Sequence, residues 1–337
     1  YLTSEASQVA PEGGAYIGTQ QATRTMFDHG LQDRASKRSL GADRQDSGLW
    51  MRAQGRHDKG MRMAEGKVDI DSSSDVVQMG GALLRRPVGA QGALYAGLMA
   101  GYGDARIDST STLMRRDTNT AVRAKAHGKV SGYSAGVYGT FYADDVNRLG
   151  AYVDTWLQYG RYTNRLSSEL GSADYDSNLW SASLESGYAL APFAADSPFR
   201  AWVVEPRGQL IYSRYTARAA DLQDTRLRNG TADAWRSSIG VRLYQQPGQA
   251  ADESVLRPFV ETNWLHSEAV PSVRMGSNSF DARPSRDALE LKVGAQLRVA
   301  RDVELSSHLF GHSGSASEYG YGGQLLFLIH IWRGRRA

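Results

Sequence analysis

Twelve short stretches in which apolar and polar residues alternate constrain the fold more than any other feature, because a period of two indicates a β-strand. The gaps between the stretches alternate as well. Counted along the sequence, they run to roughly 6–20 residues after odd-numbered stretches and roughly 3–10 after even-numbered ones. The stretches cover approximately residues 49–57, 74–86, 92–106, 127–142, 149–166, 175–190, 200–216, 234–245, 256–268, 287–299, 303–312 and 319–332.

Long gaps after odd-numbered stretches and short gaps after even-numbered ones are typical of bacterial outer-membrane barrels. These barrels have an even number of antiparallel strands, short periplasmic turns and longer outside loops. A soluble β-sandwich also has many short strands, but nothing in its architecture sorts the loops in this way. We therefore predict an all-β fold, a 12-stranded antiparallel transmembrane β-barrel, with an N-terminal α-helix threading the pore.

The composition fits a barrel better than a bundle of membrane helices. Mean hydropathy is −0.46, and the longest purely apolar run is Leu325–Ile329, whereas a spanning helix needs about 20 apolar residues. In a barrel only every second residue faces lipid. The chain has no cysteine, which excludes disulfides, thiolate metal sites and a cysteine nucleophile. Its basic residues are spread along the chain, so nucleic-acid binding has no support.

Alternate residues of a strand point to opposite sides, so each stretch can be divided into a lipid face and a lumen face. Residues 151–159 show the division most clearly, since polar Asp154 and Gln158 alternate with apolar Val153 and Leu157. Expected to face lipid are Val153, Leu157, Leu210, Leu291 and Val293. Expected to line the pore are Arg52, Asp154, Gln158, Glu185, Glu205, Arg207, Arg242, Glu261, Glu290 and Lys292.

A helix is predicted over residues 15–32, before the first strand, from helical apolar spacing and the absence of proline. Its length would be about 27 Å at 1.5 Å per residue, close to the ~25 Å apolar band of such a barrel. It would thread the pore from its outer end at Tyr16 to the periplasmic end near Arg34. The alternative is a surface helix packed on a soluble domain. Residues assigned to this linker helix are Tyr16, Arg24, Met26, Phe27 and Asp28.

Charged contacts are expected to hold the helix in the pore. Arg24 and Asp28 lie one helical turn apart and on one side. We expect them to face the wall carboxylates of Glu185, Glu205 and Glu261 and the wall arginines Arg52, Arg207 and Arg242.

These segments resemble the C-terminal translocator (β-barrel) domain of monomeric autotransporters, the type V secretion family. Residues 11–17 and 25–34 resemble its linker helix, residues 49–52 its first strand, and residues 132–138, 151–159 and 183–188 its middle strands. Residues 205–210 and 257–266 are the most specific matches. The resemblance covers about residues 10–326 in consistent order.

The resemblance implies an outer-membrane translocator and anchor that exports and displays an N-terminal passenger domain. Expected partners are that passenger, the barrel-insertion machinery, periplasmic chaperones, outer-membrane lipid and lipopolysaccharide, and the barrel would be a monomer without a cofactor. The chain would be the C-terminal part of a longer precursor. Its predicted parts are the end of the passenger (1–11), the linker helix (12–34), a turn (35–48), the barrel (49–332) and a C-terminal extension (333–337).

Two departures from the family pattern concern the ends of this region. Gly18 and Thr19 stand where family linkers commonly have an asparagine, which leaves open whether the passenger is cut free within the helix. Family chains usually end in an aromatic strand residue, whereas this one continues past Trp332 with Arg333-Gly334-Arg335-Arg336-Ala337.

Two other functions need features that the sequence does not offer. A diffusion porin would lack the helix and carry a constriction loop. A barrel hydrolase would need a Ser–His pair on one face, but His266 and Ser267 are adjacent and point to opposite faces. His308 and His312 lie about 13 Å apart at ~3.3 Å per residue, too far to share a metal. We therefore expect no enzymatic activity and no metal site.

Overall fold

A closed ring of twelve antiparallel strands accounts for most of the chain. The computed structural model describes residues 10–35, 47–63, 66–115, 120–222, 225–229, 233–246, 256–275, 278–282, 284–300 and 303–331. The strands are β1 (Ser47–Met63), β2 (Val68–Val88), β3 (Gly92–Arg115), β4 (Thr120–Tyr142), β5 (Gly150–Ser168), β6 (Gly171–Ala189), β7 (Trp202–Ala217), β8 (Ala220–Leu222), β9 (Thr225–Asn229), β10 (Asp233–Gln245), β11 (Arg257–Ser267), β12 (Ser272–Met275), β13 (Asn278–Asp281), β14 (Asp287–Ala300), β15 (Val303–Gly314) and β16 (Tyr319–Ile331).

The ring closes where β1 pairs with β16, from Ser47 opposite Ile331 to Lys59 opposite Tyr319. Four short strands stay outside the ring and form a separate sheet in the order β13-β12-β9-β8. An even number of strands brings the start of β1 and the end of β16 to one rim, the periplasmic rim in barrels of this kind. The predicted strand number, direction and closure are confirmed.

Side chains alternate strictly between the two faces of the wall. Along β5 the even-numbered residues from Tyr152 to Leu166 are buried and the odd-numbered ones from Ala151 to Arg165 are exposed. The inward-facing side chains of β5 are buried because other parts of the chain fill the barrel next to them. On the outside, apolar side chains such as Val153 and Leu157 lie exposed, as a surface in contact with lipid requires.

Pairs of aromatic rings on the exterior mark the outer edge of the apolar band. Three pairs lie between neighbouring strands, with centroids 4.8–5.0 Å apart. They are Tyr102 with Tyr133, Tyr159 with Trp180, and Tyr212 with Trp235. Aromatic side chains concentrate at the membrane interfaces of barrels. We call these six residues the outer girdle and infer that the wall beyond them stands above the bilayer.

Beyond the outer girdle the two faces exchange character. Arg106 and Asp108 are exposed on the exterior of β3, whereas Ile107 between them is buried inside. Ile70 and Val130 join Ile107 in a single apolar cluster. We call this part of the barrel, formed chiefly by β2 to β6, the outer extension. Like a soluble protein, it has polar side chains towards water and apolar side chains towards its core.

An α-helix, α1 (Pro11–Thr25), fills the core of the outer extension. Proline at its start and Glu12 in its first turn favour helix initiation, because the missing N–H costs nothing there and the carboxylate meets the positive end of the helix dipole. A side chain at Gly14 would collide with Ser109 and Val68, and one at Gly18 would collide with Ile107. No helix among the described residues is long and apolar enough to cross a membrane.

The four-stranded sheet of β8, β9, β12 and β13 covers the N-terminal end of α1. Val273 and Met275 of β12 lie against Gly13, and both belong to the apolar cluster around the helix. In the sequence these residues lie in the long gaps after the seventh and ninth predicted stretches. The four strands are only three to five residues long, too short to show an alternating pattern.

An arginine at Leu291 should destabilise the barrel, because this side chain is half exposed on the lipid face of β14. We expect the free energy of unfolding from lipid vesicles to fall by about 2–4 kcal/mol near the midplane. Thr163→Arg is the matched control, since Thr163 is exposed on β5 beyond the outer girdle, where the cost falls to about 0–1 kcal/mol. Equal losses for the two variants in urea titrations would contradict the assignment of the apolar band.

Candidate functional site

The lumen inside the apolar band is filled by residues 26–34, which we call the strap. Met26 lies against Gly103 and Phe27 against Gly101, level with Tyr102 of the outer girdle. From there the strap descends to a short 3₁₀ turn, Leu31–Asp33. The predicted N-terminal helix inside the barrel is confirmed, but it spans Pro11–Thr25 and not residues 15–32 or 12–34. The helix ends at Thr25, and a mostly non-helical segment crosses the apolar band.

Wall side chains replace the hydrogen bonds that a helix would have supplied to the strap. The Arg52 guanidinium donates to the carbonyl oxygens of Phe27 (3.4 Å) and Asp28 (3.5 Å). The Gln158 amide also donates to the Phe27 carbonyl, at 3.4 Å. Since a buried backbone polar group must be paired, these donors make a non-helical strap possible.

His29 is held on three sides. Its carbonyl oxygen accepts from the indole N–H of Trp156 (3.1 Å) and from the Gln209 amide (2.8 Å). Its imidazole ring stacks on the Trp156 ring with centroids 5.0 Å apart. Gly30 follows, and a side chain there would meet Arg207 and Glu185, so the close passage of the strap requires glycine at this position.

Two wall carboxylates bind the next turn of the strap. Glu185 accepts the backbone N–H of Leu31 at 2.9 Å and also the Tyr152 hydroxyl at 3.0 Å. Glu205 accepts the side-chain amide of Gln32 at 3.0 Å. Both carboxylates are fully buried, so each contact forms away from bulk water, where charge-assisted hydrogen bonds are strongest.

Arg34 anchors the periplasmic end of the strap. Its guanidinium contacts the Asp154 carboxylate at 2.5 Å and lies 4.0 Å from the centroid of the Tyr138 ring. The hydroxyl of Thr140 donates to the same carboxylate at 2.6 Å. Both members of the ion pair are almost completely buried, so the loss of either would leave a charge without compensation.

Glu261 belongs to a cluster within the wall and not to the strap contacts. Its carboxylate lies 3.1 Å from Arg242, 3.3 Å from Arg207 and 3.8 Å from Lys292. Lys292 in turn lies 3.8 Å from Asp33 of the strap. Three buried cations therefore share one carboxylate, and only Lys292 connects this cluster to the strap by an ion pair.

Of the partners predicted for Arg24 and Asp28, only Arg52 has a recorded hydrogen bond to either residue among those described, and it goes to the Asp28 carbonyl oxygen and not to its carboxylate. Arg236 forms an ion pair with the Asp28 carboxylate (2.5 Å) and donates to the Arg24 carbonyl oxygen (2.9 Å). The Arg24 guanidinium lies 5.6 Å from the centroid of the Tyr215 ring. Burial and the nearby Arg236 charge lower the pKa of Arg24 to about 10. Arg24 is distant from Glu185, Glu205 and Glu261 because α1 stands above the apolar band, whereas these carboxylates lie inside it.

The side chains predicted to line the pore all lie on the inner face of the wall. Fully or nearly fully buried are Arg52, Asp154, Gln158, Glu185, Glu205, Arg207, Arg242 and Glu261, whereas Glu290 and Lys292 are partly buried. The five residues predicted to face lipid lie exposed on the opposite face: Val153, Leu157, Leu210, Leu291 and Val293.

Several contacts to the strap were not singled out from the sequence. These contacts come from Trp156, Gln209, Arg236 and Gln324. Gln324 donates to the Asp33 carbonyl oxygen at 3.2 Å. The period of two identifies such inward side chains, but it does not show which of them reach the strap.

The strap lies to one side of the lumen. Between it and β10–β15 is a cavity of about 240 Å³ whose lining includes Asp28, Arg236, Glu290, Lys292 and His312. Among the described residues, no group of three His, Cys, Asp or Glu side chains is placed to hold a metal. The remaining space is bounded by charges of both signs.

Comparison with known proteins identifies the family. The family model described as "Autotransporter beta-domain" matches residues 49–307. The chain belongs to the autotransporter β-domain family. It is 30% identical over 307 residues to the uncharacterized protein YdeU of Escherichia coli (strain K12), covering 88% of the chain and 64% of YdeU. It is 24% identical to the autotransporter adhesin AIDA-I of Escherichia coli, covering 96% of the chain and 25% of AIDA-I.

Solved structures of autotransporter barrels have the same fold. The transport unit of AIDA-I from Escherichia coli aligns with 96% of the chain and all of that structure, at a TM-score of 0.79 and 21% identity. The translocator domain of NalP from Neisseria meningitidis aligns with 84% of the chain and 88% of that domain, at a TM-score of 0.54 and 15% identity. The predicted family is thus confirmed. The autotransporter barrel is an outer-membrane translocator of Gram-negative bacteria, and its family is one of transporters.

Proposed function

We propose that this barrel exports a passenger polypeptide joined to its N-terminal side and then anchors that passenger at the cell surface. The path of the linker supports the proposal. Followed from Arg34 at the periplasmic end towards the N-terminus, the linker ascends through the lumen as the strap and continues as α1, whose first residues lie beside Met63 and Met275 at the outer rim. A passenger preceding Ala10 would therefore emerge outside the cell.

The way in which the wall holds the strap suits a passage for many different sequences. Arg52, Trp156, Gln158, Gln209 and Glu185 all contact backbone atoms of the strap. Every residue of a passing chain offers the same N–H and C=O groups. We propose that these side chains bind transiently to the backbone of the passenger during export and to the strap when export is complete.

The remaining expectations about partners and chemistry stand as part of this proposal. The barrel would act as a monomer, would be delivered by periplasmic chaperones and the barrel-insertion machinery, and would catalyse no reaction of its own. A diffusion porin is the weaker alternative, because the strap and α1 occupy the interior along its length. Passenger identity and any cleavage within the linker are separate questions from the transport step.

An epitope placed before Ala10 tests the proposal. In intact cells it should be accessible to antibody and protease, because the linker would carry it to the outer rim. The same epitope inserted in the 190–201 connection should stay protected until the outer membrane is permeabilised, since that connection lies at the periplasmic rim. Protection of the first epitope in intact cells would contradict the proposal.

Scrambling the epitope should leave its surface yield unchanged if the wall binds the backbone.

A further inference from the structure

Three basic side chains form a row on the exterior of the barrel, just beyond the outer girdle. In the sheet register Arg106 of β3 lies opposite Lys129 of β4, and Lys129 lies opposite Arg165 of β5. All three are exposed. Neighbouring residues of an antiparallel sheet are about 4.5–5.5 Å apart at Cα, so three positive charges occupy about 10 Å of the surface. We call these residues the cation row.

The cation row is only partly neutralised by the protein. Arg165 pairs with Asp174 at 2.7 Å, but Arg106 and Lys129 form no ion pair with any residue that the structure describes. Asp104 and Asp108 flank Arg106 along β3, and the Asp108 carboxylate is bound to His127 at 2.6 Å. Like charges directly opposite each other destabilise a sheet, and an anion bound across the row would relieve this repulsion.

Among the described residues of β2–β6 in the outer extension, the exposed cations lie on β3–β5. The neighbouring strands carry carboxylates on the same exterior face: Asp69, Asp71 and Asp75 on β2, and Asp174 and Asp176 on β6. Between them, Arg161 of β5 adds a fourth exposed cation, opposite Tyr133 of the outer girdle. An approaching anion would therefore be attracted to β3–β5 and repelled from either side.

The cation row lies close above the layer of lipid headgroups. Lys129 is four residues beyond Tyr133, about 13 Å along the strand at ~3.3 Å per residue. With a strand tilt of about 35–45° this is about 10 Å above the outer girdle. Headgroups extend about 5–8 Å beyond the hydrocarbon on each side. Arg161 lies at the lower edge of this layer, and the long side chains of the row can bend down into it.

We propose that the cation row, with Arg161 below it, is a binding site for a phosphorylated glycolipid of the outer leaflet. Guanidinium and ammonium groups would bind the headgroup phosphates through charge-assisted hydrogen bonds, while the acyl chains lie against the apolar wall of β3–β5. The site lies on the outside of the barrel, so it is independent of the lumen contacts through which the passenger would pass.

Native mass spectrometry of the full chain in detergent, titrated with bisphosphorylated lipid A, tests the site. Arg106→Gln with Lys129→Gln should weaken binding about tenfold or more, because each cation near an anionic surface contributes a substantial share of the affinity. The matched control is Arg214→Gln with Arg218→Gln, which removes two exposed cations, one on β7 and one directly after it. We expect this control to change the affinity by no more than about twofold.

Two further arms use the unaltered chain. Lipid A without its phosphates should bind about as weakly as bisphosphorylated lipid A binds to the Arg106/Lys129 double variant. Inorganic pyrophosphate should bind far more weakly than the lipid, because it gains no contact with the apolar wall. Equal affinities of the variant and the unaltered chain, equal losses in the two double variants, or pyrophosphate binding as tight as the lipid would each overturn the proposal.

Discussion

Asp154→Ala is expected to open the lumen to ions. The substitution removes the carboxylate that contacts the buried guanidinium of Arg34 at 2.5 Å, and removing one member of a buried pair costs about 3–5 kcal/mol. That cost falls on the state in which the strap is inside, because an expelled strap leaves Arg34 in water. A shift of this size changes the ratio of open to closed barrels about a hundredfold or more. Single-channel conductance in planar bilayers should show long open events that the unaltered barrel lacks.

The double variant Arg34→Ala, Asp154→Ala separates this explanation from a simple loss of packing. If the cost comes from an uncompensated Arg34 charge, removing that charge as well should return the conductance towards that of the unaltered barrel. Deleting residues 10–35 provides the fully open reference. Conductance of Asp154→Ala equal to that of the unaltered barrel, with the deletion variant open, would show that the Arg34 pair does not retain the strap.

The periplasmic ends of the strands could be read from the sequence because the membrane enforces strict alternation there. Predicted stretches began at residue 92 and ended at residue 142, and β3 and β4 have these same limits. Inside the apolar band each residue faces either lipid or the lumen, so exposed and buried positions alternate without exception from Ala151 to Leu166 of β5. A shift of one residue would exchange all the side chains between lipid and lumen.

The outer ends were predicted too short for a related reason. The third stretch was expected to end at residue 106, but β3 continues to Arg115. Past Tyr102 the exterior face becomes polar while Ile107 on the inner face is apolar. Past this point the outward residues are no longer apolar, so the alternation typical of a strand in lipid does not mark the rest of β3. The core that α1 forms with the outer extension could only be recognised from three-dimensional contacts.

The length of the predicted linker helix did not indicate where the helix lies in the barrel. A helix over residues 15–32 would have matched the height of the apolar band, yet α1 ends at Thr25 and lies above it. Inside the band, the hydrogen bonds of the strap come from Arg52, Trp156 and other wall side chains. Sequence periodicity contains no information about such donors, because they are supplied by residues distant along the chain.

Glu261→Ala is expected to destabilise the barrel more than any other single loss of a wall carboxylate. Arg207, Arg242 and Lys292 all lie within 3.8 Å of the Glu261 carboxylate. Without it, Arg242 and Lys292 are left with weaker compensation, and three buried cations repel one another. Breaking a buried ionic cluster in this way costs about 3–5 kcal/mol, so the midpoint of urea unfolding from lipid vesicles should fall markedly.

Glu290→Gln is the matched control for this cluster, because Glu290 lies at its edge. Its carboxylate accepts from Asn263 at 2.9 Å and lies 3.8 Å from Lys292; glutamine keeps the hydrogen bond and loses only the distant ion pair, so we expect a loss of about 1 kcal/mol or less. Glu261→Gln should fall between the two, since the amide keeps a hydrogen bond to its neighbours but loses the charge. A Glu261→Gln barrel that unfolds at the same urea concentration as the unaltered one would show that shape, and not charge, holds the cluster together. In that case the three cations would have to be compensated by solvent in the adjacent cavity, and the free energy of unfolding of Glu261→Ala should then rise with ionic strength.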